Sequence, residues 1–246
     1  MASAWKSLLA LSSQKPLDKQ VLAVYLKTVI YKYAPGNIFH FLGRHSLSQT
    51  HKLEHKTIAF ANGVEILLQL FAVSLIIMIG TIFFDFSLDV GSYFSLSKTK
   101  LLLAFSLLIL LSLIVLFKKK YRDMLLQKSA LKILLTVLFK HLVFLLGSAL
   151  LLVAVYHFIL GVDFTSSMLV QTMLVSSIAW LLGFIVPGAP GGVGIRESIL
   201  LLLLPTIMIL PEAQVLAGAL IYRVVTILGE GLTYFWAKLL KNNTRK

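Results

Sequence analysis

The chain has 246 residues, of which 58% are hydrophobic and only 13% are charged. Soluble domains carry about a quarter charged residues, so this composition excludes an ordinary soluble domain and predicts an all-α, polytopic integral membrane protein. A β-barrel would alternate apolar and polar residues, whereas apolar residues here run unbroken, as in 101–117. The chain contains no cysteine, which excludes disulfides and thiolate chemistry.

The chain is strongly basic, with a net charge of +13. Its basic residues cluster beside the apolar segments, as in Lys118, Lys119, Lys120 and Arg122. Charge in that position orients a membrane protein and attracts anionic lipids, so we expect membrane lipids as partners and no nucleic acid. The sequence contains no G-x-S-x-G, Walker A or G-x-G-x-x-G pattern, and we expect no cofactor.

Hydropathy divides the chain into a single transmembrane domain, 1–246, with six apolar segments. Four of them are uninterrupted and are predicted to be full spans, at about 57–84, 100–117, 136–160 and 213–237. The first broken segment, residues 21–47, is interrupted at "YAPGN", and the second broken segment, residues 168–210, is interrupted at "PGAPGGVGIRE". Proline and glycine destabilise helix interiors, so we expect both segments to leave the helical conformation there.

The distribution of lysine and arginine predicts the orientation. Six of these residues lie in 118–132 and four in 238–246, whereas 161–167 has none. Both termini and the loop 118–132 are therefore expected on the cytoplasmic side of an inner or plasma membrane. Each broken segment must then enter and leave on one side, as a re-entrant hairpin. The limb 198–210 reaches only about 20 Å, whereas 168–186 is long enough nearly to cross.

The second broken segment carries a candidate anion site, whose residues are Pro190, Gly191, Gly192, Gly194, Arg196 and Glu197. Its prolines and glycines oppose helix formation, so a helix beginning near Ile195 would present free N–H groups and the positive end of its dipole. Arg196 adds a cation that Glu197 is placed to hold, and this combination suits a phosphate or carboxylate. The alternative is a surface turn with a solvated Arg–Glu pair.

Two of the long segments contain ionisable residues, which are costly in lipid and often functional. Glu65 lies one to two turns into the first full span. Arg223 and Glu230 lie seven residues apart, on nearly one face of the last span. We expect all three to contact the substrate. The alternative is a structural Arg–Glu pair that fixes helix packing.

The first broken segment carries a similar arrangement. Pro35 and Gly36 interrupt it, and His40 and Arg44 follow, four residues apart and therefore on one helix face. These four residues are candidate substrate-binding residues. The nearby sequence "HKLEH", 51–55, formally matches an H-x-x-E-H zinc motif, but it lies in a Lys-rich link without a third ligand, so no metal site is expected.

Two motifs, in this order, resemble a known family. The sequence "PGAPGGVGIRESIL" resembles the P-G-G-x-G-x-R-E motif in the transmembrane region of lysylphosphatidylglycerol synthases. The sequence "YKYAPGNIFHFLGR" resembles the earlier K-Y-x-P-G motif of that family, which ends in G-R. The resemblance covers roughly 5–240. The matching positions are Pro35, Gly36, His40, Gly43 and Arg44 in the first motif and Pro190, Gly191, Gly192, Gly194, Arg196 and Glu197 in the second.

The membrane region of that family is linked to the flipping of aminoacylated phospholipids across the bilayer. Similar regions accompany archaeal dolichol-linked glycosylation and bacterial surface-polysaccharide clusters. The sequence differs from the family in two respects: it contains no soluble aminoacyl-transferase domain, and the one or two spans that usually precede the first motif are missing. The resemblance therefore implies either a short form or an incomplete N-terminus, and a protein that does not itself make the modified lipid.

The residues and the resemblance together predict a lipid transporter or flippase-like protein. Its substrate is expected to be a lipid with an anionic headgroup, either a phospholipid or a polyprenyl-phosphate-linked sugar. Arg44, Arg196 and Arg223 are expected to draw the headgroup into a cavity near the membrane midplane, while the tails stay in lipid.

Two alternatives remain open. The first is a membrane-embedded glycosyl or acyl transferase, with Glu65, Glu197 or Glu230 as acid and base. The absence of a soluble donor-binding domain in the sequence argues against it. The second is a non-catalytic subunit that works with a separately encoded transferase as its partner.

The predicted orientation can be tested by cysteine labelling, because the chain contains no native cysteine. A single cysteine at Asp89 or Gly161 should react only with a reagent applied from outside the cell. A cysteine at Arg122 or Lys241 should react only after the cytoplasmic side is made accessible, since these positions lie in the Lys/Arg-rich parts. Labelling of Arg122→Cys from outside would contradict the orientation and both re-entrant hairpins.

Overall fold

The protein is helical, apart from a two-residue antiparallel pairing of Leu88–Asp89 with Ser95–Leu96, throughout the part that the structure describes. That structure is a computed structural model, and it describes residues 1–13, 17, 20–35, 38–49, 53–84, 88–89, 95–116, 128–186, 188–208 and 210–242. The predicted all-α class is therefore confirmed.

The α-helices follow one another along the chain with short irregular turns between several of them. Their bounds are α1 Ala2–Ser13, α2 Gln20–Thr28, α3 Phe39–Gln49, α4 His55–Phe84, α5 Lys98–Leu116, α6 Lys128–Ala154, α7 Ser166–Ile185, α8 Ile195–Leu203 and α9 Glu212–Asn242. Within the described residues, three short 3-10 turns lie at Val29–Tyr33, Pro190–Gly192 and Leu204–Thr206, and a π-helical turn at Val155–Ile159 extends α6.

Four helical stretches within the described residues are long and apolar enough to cross a membrane, namely His55–Phe84, Ser129–Ile159, Ser166–Ile185 and Glu212–Lys238. This set is compatible with a multi-pass membrane protein. The first, second and fourth coincide with predicted full spans. The third is α7, the longer limb of the second broken segment, which the sequence predicts to be nearly long enough to cross the membrane. The remaining predicted span, 100–117, corresponds to the 19-residue helix α5, which packs along α4.

The first broken segment is interrupted where its sequence predicts. Helix α2 ends at Thr28, a 3-10 turn follows, and α3 begins at Phe39. Ala34 has extended backbone, with φ −69° and ψ 145°, because the ring of the following Pro35 disfavours the helical conformation for the residue before it. Gly36 lies outside the described residues. Helices α2 and α3 contact each other, so the interruption folds the segment back on itself.

The second broken segment has a long limb and a short limb. Val186 ends α7 with extended backbone, and α8 begins at Ile195, as the sequence predicts. Between them, Gly191, Gly192 and Gly194 have φ values of +58°, +76° and +85°, which side chains other than glycine rarely adopt. Pro187 lies outside the described residues.

Helix α4 connects the two apolar cores of the protein. Its N-terminal half packs with α1, α2 and the start of α6 around Trp5, Leu8 and Ile58. Its C-terminal half packs with α5, α7 and the rest of α6 in a larger cluster that includes Ile77 and Leu174. Both broken segments pack on this framework, which therefore fixes the positions of their interruptions.

The outward faces of the long helices are apolar. Phe139 is 65% exposed, Phe158 81% and Leu232 70%, on α6, its π-helical turn and α9 respectively. Apolar faces of this extent are unfavourable in water and suit contact with lipid tails. The exposure therefore agrees with the four apolar helices in indicating a membrane protein.

Close packing of α9 against the π-helical turn gives a test of the fold. A Cβ atom on Gly218 would lie 2.5 Å from the ring of Tyr156, whereas one on Gly229 of the same helix would meet nothing within 4 Å. Gly218→Leu should therefore destabilise the protein by about 1–3 kcal/mol, which lowers the melting temperature in detergent by about 3–10 °C. Gly229→Leu is the matched control and should melt like the wild type. Equal melting of both variants would contradict this packing.

Candidate functional site

Arg196 occupies a narrow space between the start of α8 and helix α7. A Cβ atom on Gly183 would lie 2.5 Å from Cγ of Arg196, and one on Gly192 would lie 2.8 Å from its Nε. Both glycines therefore give the arginine room. Its guanidinium carbon lies 5.8 Å from the centroid of the Trp180 ring, within cation–π range.

Arg196 has no counter-ion among the described residues. Its Nε atom is buried without a hydrogen-bond partner, although a buried guanidinium N–H normally has an acceptor. The sequence predicts that Glu197 holds Arg196, but the structure shows a different pairing. One oxygen of Glu197 accepts a hydrogen bond from Gly194 N at 2.7 Å, which caps α8, and the other lies 3.6 Å from Nε of Arg223.

Arg223 ties α9 to the loop that precedes α8. Its Nη2 atom donates a 2.7 Å hydrogen bond to the carbonyl oxygen of Gly191. The guanidinium carbon also lies 5.5 Å from the centroid of the Tyr33 ring. The Nε atom of Arg223 is buried without a hydrogen-bond partner among the described residues, as that of Arg196 is. Arg223 differs from Arg196 because Glu197 balances its charge and Gly191 accepts from its Nη2.

The first broken segment reaches this loop through its 3-10 turn. Lys32 forms a 2.5 Å ion pair with one oxygen of Glu230, and the hydroxyl of Tyr33 donates to the other at 2.9 Å. The Tyr33 ring lies so close to Gly191 that a Cβ atom there would be 2.8 Å from it. The interruptions of the two broken segments therefore meet each other and α9.

We call this assembly the Arg196 site and define it by the residues Lys32, Tyr33, Gly191, Gly192, Arg196, Glu197, Arg223 and Glu230. Its described side chains contain three cations and two carboxylates. Lys32 is paired with Glu230, and Arg223 with Glu197, so the positive charge of Arg196 is left over. Arg196 also lies within electrostatic range of Arg223, which has the same charge, and of Glu230, which is already paired with Lys32. An anion bound here would neutralise the charge of Arg196 and offset its repulsion by Arg223.

An apolar groove is lined in part by the 3-10 turn that carries Lys32. Its volume is about 470 Å³, and its lining includes Ile30, Tyr31, Phe39 and Leu42. Ile30 and Tyr31 belong to the same 3-10 turn as Lys32. The turn therefore contributes apolar side chains to the groove, and its Lys32 pairs with Glu230 of α9.

A second group of charged residues, the Glu65 cluster, lies about Trp5, Tyr25, Arg44 and Glu65. Arg44 forms a 2.5 Å ion pair with Glu65, and the side chains are only 5% and 2% exposed. Tyr25 donates a 3.0 Å hydrogen bond to the other oxygen of Glu65, and its ring centroid lies 3.9 Å from the guanidinium carbon of Arg44. The charges of this cluster are balanced, and it joins α2 and α3 to α4.

The structure brings together some of the predicted site residues and separates others. Arg196, Arg223, Glu197, Glu230 and the glycines of the second broken segment lie in the Arg196 site. Arg44 and Glu65 pair with each other in the Glu65 cluster instead. Arg223 and Glu230 are not paired with each other among the contacts of the described residues, so the suggested structural pair is not formed.

His40 and Arg44 share a buried face of α3, as their spacing predicts. His40 is 8% exposed, and its Nδ1 atom has no partner within the described part of the chain.

The predicted proline and glycine residues lie at the two interruptions. Pro35 is exposed at the first, and Pro190 begins the 3-10 turn that carries Gly191 at the second. Gly194 precedes α8 and donates to Glu197.

Lys32 and Tyr33 were not among the predicted site residues. The K-Y of the first motif, directly before Pro35, is the sequence signal that contained them. A lysine beside an interruption is also what cytoplasmic anchoring would produce, so hydropathy alone did not separate the two roles. The pairing with Glu230, 198 residues away, places Lys32 among the charged residues of the Arg196 site.

No metal site is found in the described residues, because they contain no group of three or more histidine, cysteine, aspartate or glutamate side chains placed to hold an ion. His51, the first residue of the zinc-like motif, lies outside the described part. His55, its last residue, contacts His45 and Gln49 instead.

Comparison with protein-family models, with curated proteins and with solved structures finds no match to this chain.

The Glu65 cluster predicts a characteristic pattern of stability. Glu65→Leu leaves the buried charge of Arg44 without a partner and should cost about 3–5 kcal/mol. The double variant Arg44→Met/Glu65→Leu removes both charges and should recover most of that loss. Glu54→Leu, at an exposed position before α4, is the control. Thermal unfolding in detergent measures all three, and a double variant no more stable than Glu65→Leu would contradict the buried-charge explanation.

Proposed function

We propose that the protein is a lipid transporter of the flippase type that handles a lipid with an anionic headgroup. The substrate is a phospholipid or a polyprenyl-phosphate-linked sugar, and the protein lies in the inner or plasma membrane with both termini in the cytoplasm. The observation that carries the proposal is the unpaired cation of Arg196 at the point where the two broken segments meet.

The position of Arg196 supports an anion as ligand. A cation in apolar surroundings is unfavourable unless a counter-ion or hydrogen-bond acceptors stabilise it. Neither is supplied to Arg196 by the described residues, although every neighbouring charge of the site has a partner. A phosphate group would supply both, because guanidinium groups bind phosphate oxygens through paired N–H donors.

The interruptions of the two segments support transport as the use of that site. Irregular backbone at membrane depth is tolerated where it is buried in protein or lines a cavity. Gly/Pro-interrupted segments in two parts of a chain are typical of transporters, in which they form a substrate site near the midplane. The contact between Tyr33 and Gly191 supports one shared site for both segments.

The apolar groove beside Lys32 supports an amphiphile as the substrate. A lipid has a charged headgroup and apolar tails, and the 3-10 turn offers a cation and an apolar surface within a few residues. In the proposed mechanism the headgroup binds at Arg196 while the tails remain along the groove and in lipid. Rocking of the broken segments about the site would then expose the headgroup to one side of the membrane at a time.

The resemblance of both motifs to the lysylphosphatidylglycerol synthase family supports the same proposal. The residues that carry the resemblance include Arg196, Glu197 and three glycines, and these belong to the site or to the turn that forms it. The alternative of a transferase needs a carboxylate that can exchange a proton during the reaction. Glu65, Glu197 and Glu230 each already pair with a cation of the protein, so the geometry favours binding over acid–base catalysis.

Arg196→Gln tests the proposal directly. Loss of a charge-assisted contact should cost about 1.5–3 kcal/mol, so binding of short-chain phosphatidylglycerol should weaken about 10- to 150-fold. Arg196→Lys should restore binding only in part, because lysine lacks the paired donors. Isothermal titration of the purified protein in maltoside micelles measures affinity, and movement of a fluorescent lipid in proteoliposomes measures transport.

Lys56→Gln is the control, since Lys56 is exposed at the start of α4. It should bind and transport like the wild type. A folded Arg196→Gln variant with wild-type affinity would contradict the anion site. A wild-type protein that binds anionic lipid but moves it only together with another protein would instead favour the partner-subunit alternative.

A further inference from the structure

The charges of the Arg196 site restrict the charge of what it can bind. Within the described residues, Lys32, Arg196 and Arg223 face the carboxylates of Glu197 and Glu230. The other residues that define the site, Tyr33, Gly191 and Gly192, contribute no charged side chain. The site therefore carries one net positive charge.

A partly buried site of this kind is most stable when it is neutral overall. Taking a charge out of water is unfavourable, and only an opposite charge nearby offsets it. A ligand with one negative charge neutralises the site. A ligand with two negative charges leaves one of them uncompensated beside Glu197 and Glu230, where like charges repel.

We infer that the Arg196 site selects a headgroup with a single negative charge, a phosphodiester rather than a phosphate monoester, and that Glu230 determines this selectivity. The inference rests on the proposed function, because it assumes that the site binds an anionic headgroup. Phosphodiesters carry one charge, whereas monoesters carry nearly two above their second pKa of about 6. Among the lipids proposed above, this favours a phospholipid diester or a polyprenyl monophosphate sugar over a diphosphate-linked one.

Glu230 determines how much negative charge the ligand can carry, because it neutralises the one lysine of the site. Lys32 and Glu230 are 22% and 25% exposed, so this pair is more open than the pair of Arg44 and Glu65. Glu197 is less suitable for the role because it also caps α8 through Gly194 N. Without the charge of Glu230, Lys32 would be free to contact a second negative charge on the ligand.

The test compares short-chain phosphatidylglycerol, a diester, with short-chain phosphatidic acid, a monoester, at about pH 8.5, where the monoester is doubly charged. Isothermal titration of the purified protein in maltoside micelles gives both affinities. The wild type should prefer the diester about 10-fold or more. Glu230→Gln, which keeps the shape and an acceptor for Tyr33, should reduce this preference at least 10-fold or reverse it.

Two further variants separate charge from structure. Lys32→Gln/Glu230→Gln removes one charge of each sign, returns the site to a single positive charge, and should restore the preference for the diester. Glu212→Gln carries the same substitution at an exposed position at the start of α9, and should behave like the wild type. Recovery in the double variant would show that the net charge, and not the glutamate side chain itself, governs the preference.

Soluble analogues distinguish the source of the phosphate. If dimethyl phosphate displaces the lipid better than methyl phosphate does, the charge rule holds for a free phosphate ester as well. If the preference is found only with the two lipids, the occupant is a lipid headgroup, and the rule holds for it.

The inference and the proposed function fail in different ways. Loss of binding in Arg196→Gln together with a wild-type preference for phosphatidic acid would overturn the charge rule and leave the anion site intact. An unchanged preference in a folded Glu230→Gln variant would overturn it as well. If Glu230→Gln does not fold, the preference of the wild type alone still decides. Absence of any anionic lipid binding by the wild type would overturn the proposed function itself.

Discussion

The ion pair between Lys32 and Glu230 is the interaction on which the arrangement of the Arg196 site depends. It joins the 3-10 turn of the first broken segment to α9, and it holds Tyr33 against the loop before α8. The carbonyl of Gly191 in that loop then accepts a hydrogen bond from Arg223. Because the carboxylates are engaged by Lys32 and Arg223, Arg196 remains without a counter-ion. The same contacts that assemble the site therefore leave it one negative charge short.

The two groups of charged residues differ in how their charges are balanced. In the Glu65 cluster the pair of Arg44 and Glu65 is almost fully buried, and Tyr25 donates to the same carboxylate. A balanced, buried pair of this kind fixes the position of α3 against α4 and leaves no charge for a ligand. In the Arg196 site the exposed fractions are larger and one cation is unpaired. Binding is therefore expected at the second group, on a framework held by the first.

Local features of the fold could be predicted from the sequence, whereas the pairing of charges could not. The interruptions at Pro35 and between Val186 and Ile195 follow from proline and glycine, whose effect is confined to neighbouring backbone. The partner of each charged residue depends on helix packing over long sequence separations. The sequence thus predicts that Arg44 acts together with Arg196, whereas it pairs with Glu65. The K-Y-x-P-G motif contains Lys32 but does not indicate its pairing with Glu230.

The central claim, that an anionic lipid completes the Arg196 site, is tested most directly by the lipid that stays with the protein on purification. Native mass spectrometry of the wild type and of Arg196→Gln, both extracted from the same membrane in maltoside, would identify that lipid. The account predicts that a phosphodiester lipid with one negative charge is retained by the wild type and is lost from the variant. Retention of the same anionic lipid by both proteins, or of none by the wild type, would contradict it.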